Sequence, residues 1–270
     1  MTRWKELRKG LMPLALATIA ALAACGSTPS RDEDAARDPE KLYADAKDDI
    51  SGGSWDRAIK TLEKVEGRGA GTLLAQQALL EIAYAQWRSA DKASALSSLD
   101  RFIKLYPSSP ALDYALYLKG TVNFNDNTGF LSALSRQDFA ERDQQASRDA
   151  YQAYAQLVEQ FPTSKYAADA RQRMAFLINA LANHEIYAAR YYFRRGAFVA
   201  AANRAAQVLR EYPRSPAVEE ALYIMAVSYE RLGLDPLRDG VDRVLRLNFP
   251  SSPHLRDGIR QPEKAWWQFW

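Results

Sequence analysis

Tyr106-Pro107-Ser108-Ser109-Pro110-Ala111 closes one amphipathic run and opens the next. The phrase returns as Phe161-Pro162-Thr163-Ser164, as Tyr212-Pro213-Arg214-Ser215-Pro216-Ala217 and as Phe249-Pro250-Ser251-Ser252-Pro253. The first proline pushes the aromatic residue before it out of the α region, which ends a helix. The serine that follows can cap the next helix, and the second proline suits a first helical turn, where its missing N–H has no bond to lose. The phrase therefore predicts a helix stop and a helix start, four times over.

Counting back from each first proline, small and apolar residues fall where the helix pair of a tetratricopeptide (TPR) repeat needs them. In the repeat ending at Pro107 these are Leu79, Ile82, Ala83, Ala95, Leu99 and Phe102. In the repeat ending at Pro250 they are Leu222, Met225, Ala226, Tyr229 and Leu245, with Arg238 and Asp242 in place of the usual small and aromatic residues. An earlier unit, Glu40 to Glu66, carries Ala46, Gly52, Trp55, Ala58 and Leu62. Small residues let paired helices approach, and large ones fill the space between neighbouring pairs. Alternating β-branched stretches are almost absent, so the expected fold is all-α: a TPR-like, right-handed solenoid of helical hairpins.

The connector prolines stand 55, 51 and 37 residues apart. With 37 as the period, the two middle repeats carry about 18 and about 14 extra residues. The first insertion holds Asn125-Asp126-Asn127-Thr128-Gly129 and reads as a long loop near 125–143. The second lies between Ser164 and Arg195, a stretch without Gly or Pro. About 14 residues make almost four turns, which keeps an apolar face in phase, so one helix of about 30 residues and roughly 45 Å is expected near 165–195. Its inner stripe is expected to be Met174, Ile178, Leu181, Ala188 and Tyr192.

Outward from the repeats, the chain begins with Arg3, Lys5, Arg8 and Lys9 followed by the apolar run Leu11 to Ala24. That is the pattern of a secretory signal, assigned to residues 1–24. The run is shorter than the roughly 20 apolar residues a membrane-spanning helix needs. It ends in Leu22-Ala23-Ala24-Cys25-Gly26, which resembles a lipobox, and Cys25 is the only cysteine. The resemblance implies an S-diacylglycerol and an N-acyl chain on Cys25, and Gly rather than Asp at position 26 implies sorting to the outer membrane. No other cofactor is expected. Residues 25–39 read as the lipidated N-terminus and a flexible tether, 40–250 as the repeat domain and 251–270 as a C-terminal tail. That tail ends in Trp266-Trp267-Gln268-Phe269-Trp270 and should need cover from the repeat surface, another subunit or the membrane interface. Removing residues 1–24 takes away four basic residues and Glu6, which brings the formal charge from +3 to zero. Nothing in that balance suggests nucleic acid as a partner.

Catalytic patterns are not apparent. Gly67-Arg68-Gly69-Ala70-Gly71-Thr72 has neither the preceding strand nor the Lys-Ser or Lys-Thr of a phosphate loop, and reads as a flexible connection between helices. His184 and His254 stand far apart, in no metal-ligand or triad pattern. The pair Glu219-Glu220 reads as a solvated face. The expectation is a binding scaffold, with no catalytic residue, no metal site and no enzymatic activity.

Three stretches go beyond a generic repeat: Asp113-Tyr114-Ala115-Leu116-Tyr117-Leu118-Lys119-Gly120, Asp169-Ala170-Arg171-Gln172-Arg173-Met174, and Tyr191 to Arg204. They resemble the TPR lipoproteins of the β-barrel assembly machinery, the BamD or ComL family. The likeness covers nearly the whole mature chain. It implies five repeats, about ten helices, on a lipid-anchored protein at the periplasmic face of the outer membrane. It also implies docking to the POTRA domains of the barrel insertase, contact with the accessory lipoproteins of that complex, and handling of unfolded outer-membrane proteins through their C-terminal targeting strand. Arg204 matches the arginine that meets a POTRA domain in that family, with Arg195 and Asn203 around it. Arg204→Glu is accordingly expected to weaken insertase capture without changing helicity. A substrate groove on the concave side is expected to use Tyr84, Arg101, Asp113, Tyr114 and Tyr117. The alternative reading is a TPR lipoprotein adaptor for cell-wall synthesis or division. One stretch departs from the family: Gly69-Ala70-Gly71-Thr72-Leu73-Leu74-Ala75-Gln76-Gln77 stands where proline and aromatic residues are usual, and should loosen the first connection between repeats.

Overall fold

The structure, a computed structural model, describes residues 38–124 and 144–258. The signal sequence, Cys25, nearly all of the tether, the expected loop near 125–143 and the aromatic end of the chain lie outside the described residues. Among the described residues there are eleven α-helices and no strand. They are α1 (Pro39–Ser51), α2 (Trp55–Arg68), α3 (Leu73–Arg88), α4 (Lys92–Leu105), α5 (Leu112–Asn123), α6 (Gln144–Gln160), α7 (Ala167–Arg194), α8 (Phe198–Glu211), α9 (Ala217–Arg231), α10 (Asp235–Asn248) and α11 (Pro253–Asp257).

All four connectors fold alike. The N–H of each aromatic residue, Tyr106, Phe161, Tyr212 and Phe249, donates to the carbonyl four residues back and closes the preceding helix at 2.8–2.9 Å. The N–H of the serine three residues later, Ser109, Ser164, Ser215 or Ser252, donates to the aromatic residue's carbonyl at 3.0–3.1 Å. Each serine Oγ then accepts from the N–H two residues on, from Ala111, Tyr166, Ala217 and His254 in turn. Sterics at the proline and a short hydroxyl side chain thus satisfy the orphan backbone groups of two helix ends within six residues.

The described chain divides into two compact units, the first ending at Ala85 and the second beginning at Gln86, so that the boundary falls within α3. In the first unit α1 pairs with α2, and Leu42, Ala46, Leu62, Val65, Ala78 and Ile82 form its buried cluster. The Gly-rich connection there closes on a threonine hydroxyl. Helix α2 runs on to Arg68, Thr72 Oγ1 donates to Gly69 O at 2.7 Å, and the same oxygen accepts from Ala75 N at 3.2 Å to cap α3. Gly71 supplies the left-handed turn, with φ of 86°. Gly52, expected at a helix contact, instead caps the end of α1 and is exposed.

In the second unit consecutive helices pair from α4 to α10, and two buried clusters share α7. Its first half contributes Ala170 and Leu177 to a cluster with Leu112, Leu116, Ala150, Tyr154 and Leu157. Its second half contributes Leu181, Ala182, Ile186 and Ala189 to a cluster with Ala201, Ala205, Val208, Ala221 and Ile224. The alanines in the second cluster bring α7, α8 and α9 close together. Helix α7 holds 28 residues, and its inner stripe is broader than expected. Of the five residues expected, Leu181 is buried, Met174, Ile178 and Tyr192 are half-buried and pack against the two clusters, and Ala188 is half-buried. Packing against α6, α8 and α9 centres burial on Leu177, Ala182, Glu185, Ile186 and Ala189.

Candidate functional site

The hairpin of α7 and α8 holds the three residues expected to face an insertase. Arg204, on the second turn of α8, donates from Nη1 to Glu185 Oε2 of α7 at 3.0 Å. The two ends of this bond differ in exposure: the arginine side chain is 43% exposed and the glutamate 3%. A carboxylate that deep needs a cation, so Arg204 has a structural duty as well as an accessible face. Arg204→Glu would therefore set a second carboxylate against Glu185, so it tests stability as well as docking. Asn203 beside it is exposed. Arg195 is exposed too and caps α7, its guanidinium 5.4 Å from the ring centre of Tyr191. Ten residues separate Glu185 from Arg195, so the Arg204 bond and the Arg195 cap stand roughly 15 Å apart along α7.

Of the expected groove residues, the structure brings Asp113, Tyr114 and Tyr117 together on the outer turns of α5, against the start of α7. Asp113 Oδ2 accepts from Ser164 Oγ of the connector at 2.7 Å. Tyr117 stacks on Tyr166 with centroids 4.7 Å apart, and its hydroxyl donates to Asp169 Oδ2 at 2.8 Å. Burial, then the bond to Asp169, pushes the Tyr117 phenol above its ordinary pKa. Tyr114 lies 5.6 Å from Tyr166 at a tilt. Asp113 and Tyr117 thus clamp α5 to α7 rather than standing open to a ligand. Arg101 is exposed on α4. Tyr84, in the first unit, meets Trp55 edge-on at 6.3 Å.

Sequence reasoning missed a second ionic group. Glu220, assigned above to a solvated face, is buried on α9, and both its carboxylate oxygens accept from the Arg190 guanidinium of α7. His254 of α11 approaches the same carboxylate with Nε2 at 4.0 Å and stacks on Tyr223 at 5.9 Å. The partners lie thirty or more residues apart in sequence, so no local pattern announces them. Arg238 and Asp242, where a repeat usually has small and aromatic residues, line an open cavity of about 390 Å³ between α9 and α10, with Tyr223, Glu230, Arg246 and Leu255.

The family model described as YfiO, an outer membrane lipoprotein, matches residues 35–243, which takes in α1 through most of α10. The chain belongs to the YfiO family of outer membrane lipoproteins. Among curated relatives, the outer membrane protein assembly factor BamD of Neisseria meningitidis serogroup B is 44% identical over 254 residues, 93% of this chain and 95% of its own length. The BamD of Xylella fastidiosa strain Temecula1 is 34% identical, over 91% of this chain and 84% of its own length. Among solved structures, TPR-like repeats of a kinesin light chain from Podosopora anserina align at 13% identity with a TM-score of 0.39, over 79% of this chain and 96% of theirs. The match takes in the α7–α8 hairpin and the first three connectors, and it spans both compact units.

Proposed function

We propose that the chain is the lipid-anchored scaffold of an outer-membrane β-barrel assembly complex, held at the periplasmic face by acyl chains on Cys25. In this reading it binds the insertase through POTRA domains and passes on unfolded outer-membrane proteins, and it catalyses no reaction itself. The observation that carries the proposal is 44% identity with a named assembly factor over 93% of this chain and 95% of the relative. Repeat proteins that share only the helix pattern have no reason to agree outside the packing positions, so identity on that scale extends to surfaces.

The insertase face is assigned to Arg195, Asn203 and Arg204. They sit on a helix pair backed by the α7–α8–α9 cluster, a rigid support for docking a folded domain. Arg204 would use its exposed edge while Glu185 holds the other. Substrate contact is assigned to Tyr84 on the first unit and to Arg101, Asp113, Tyr114 and Tyr117 on the second. Of the latter, Tyr114 and Arg101 offer the contact surface and Asp113 and Tyr117 hold it in shape. Accessory lipoproteins of the complex are expected on the remaining helix faces.

The test is capture of the lipidated protein from detergent-solubilised membranes. A barrel insertase bearing POTRA domains should come with it, and recovery of cell-wall synthases alone would overturn the reading in favour of a division adaptor. The site is tested by Arg195→Glu combined with Asn203→Lys, which reverses or adds charge without touching Glu185. Insertase recovery should fall with helicity intact, and unchanged recovery would remove this face from the proposal.

A further inference from the structure

Helix α10 is held to the fold by one side. It packs against α9, where Leu245 is the one buried residue of the helix, and α11 borders the same inner groove through Leu255. The opposite side is apolar and open. Leu237, Val244 and Leu247 are 52%, 43% and 80% exposed. At about 100° per residue they fall with Gly240 inside an arc of about 80°, well away from Leu245. Their spacing of three, four and three residues is that of a helix seam suited to packing on another helix.

Gly240 sits in the middle of this seam. A Cβ there would meet nothing within 4 Å, so the packing of this chain does not require glycine at the position. Glycine inside a helix is less stable than alanine, and a glycine with no internal neighbour to demand it suits the close approach of a helix from outside. The charges on α10 say which helix. Asp235 and Asp239 lie in its first half, Arg243 and Arg246 in its second. Arg238 bonds Asp235 and Asp239, Arg246 bonds Asp242, and Arg243 stands exposed outside these pairs. Asp239 and Arg243 are one turn apart on the same flank of the seam. A second α10 running parallel would set like charges together. One running antiparallel sets the Asp239 of each copy beside the Arg243 of the other, twice, and opposes the two helix dipoles.

We propose that the exposed seam of α10 binds a second copy of this chain, α10 against α10, antiparallel about a two-fold axis at the level of Asp242. Leu237 of one copy then meets Leu247 of the other, and Gly240 meets Val244, so that a large side chain faces the flat spot. Such a contact is isologous and closes at two copies. One helix face about 20 Å long supplies less than the roughly 800 Å² per partner of a standard interface, so the pair is weak and reversible. Confinement of both copies to one membrane leaflet, as the proposed anchor would provide, raises their effective concentration and favours the pair. The contact itself uses none of Arg195, Asn203 and Arg204 and does not rest on the insertase reading.

The test uses the mature chain with Cys25→Ser, so that any added thiol is the only one. Sedimentation equilibrium should show monomer and dimer exchanging at about 0.1–1 mM, the range of small transient interfaces, with no larger species. Leu247→Glu should raise the dissociation constant about tenfold or more with helicity unchanged, since the side chain is exposed in the single chain. Arg243→Asp should weaken the dimer as well, and adding Asp239→Arg should restore it, because the swap re-forms the pairs across the axis. Oxidation of a mixture of Leu237→Cys and Leu247→Cys chains should give the mixed disulfide, while either alone gives little, its two thiols lying about 15 Å apart along the axis. A chain that stays monomeric at about 1 mM, same-residue disulfides, or a mass that climbs past the dimer would overturn the proposal. So would loss of insertase capture by the lipidated chain carrying Leu247→Glu, which would give the seam to that partner. Failure of capture in the parent chain, with the dimer intact, would instead overturn the insertase reading and leave this one standing.

Discussion

Gly120 and Tyr154 show how closely one residue can depend on another across two helices. A Cβ at Gly120 would lie 2.5 Å from Cε1 of the Tyr154 ring, well inside contact distance, and both positions are buried. Gly120→Ala should destabilise the second unit by about 1–3 kcal/mol, as overpacking does, and the loss should shrink when Tyr154→Leu is added. Urea denaturation of the single and double variants checks the pair, and an additive result would mean that the ring is not the obstacle. Tyr154 also gives a pH effect with a defined sign. Burial pushes its phenol from 10.0 up to about 12, while the hydroxyl bond with Thr121, at 3.2 Å, pulls it down. The folded state therefore keeps this proton after the unfolded chain has lost it. Stability should hold below about pH 10 and fall as pH rises toward 12, and Tyr154→Phe should flatten that slope in thermal melts. The ion pair of Arg204 with Glu185 acts at the same scale. Arg204→Leu leaves a buried carboxylate without its cation and should lower stability by about 1–3 kcal/mol, whereas Arg204→Lys should recover most of the loss. Equal stability of the two variants would show that the bond contributes nothing.

At the scale of the element, α7 carries the argument, because two buried clusters share it. Asn183, near its middle and exposed, has little packing to lose. Asn183→Pro should still cost about 3 kcal/mol or more, since the ring removes a backbone bond and clashes with the preceding turn. A melt within experimental error of the parent would mean that the two halves of α7 do not need each other. The length of this helix was legible in the sequence because continuity is a local property: Ser164 to Arg195 contains no residue that breaks a helix. The connectors were legible for the same reason, proline sterics and serine capping both acting within a few residues. The face of α7 was legible in part. Met174, Ile178, Leu181 and Tyr192 do meet the clusters, but packing against three partners centres the buried arc on Leu177, Ala182 and Ile186. Glu185, Arg190 and Glu220 were hidden for a related reason, since a charged residue announces burial only through a partner on another helix. At Gly69–Thr72 composition told of a connection between helices but not of the threonine hydroxyl that closes the turn on both sides.

At the scale of the molecule, the proposed anchor and the proposed docking face do separate work, and they can be separated experimentally. Cys25 lies outside the described residues, whose helices begin at Pro39. Its contribution would be concentration. Acyl chains hold the domain on the surface where its partners sit, at about 0.8 kcal/mol per buried methylene, and restrict it to a thin layer of periplasm. Cys25→Ser should therefore leave helicity and the melting temperature unchanged while moving the protein from the membrane fraction to the soluble one. Insertase capture at native expression should fall, because binding becomes a free bimolecular event and loses its effective concentration. Raising the soluble variant's level by about a hundredfold should restore capture by mass action, since the α7–α8 face is intact. If capture stayed lost at high expression, the lipid would be part of the binding surface itself, and if it never fell, the tether would have no role in assembly.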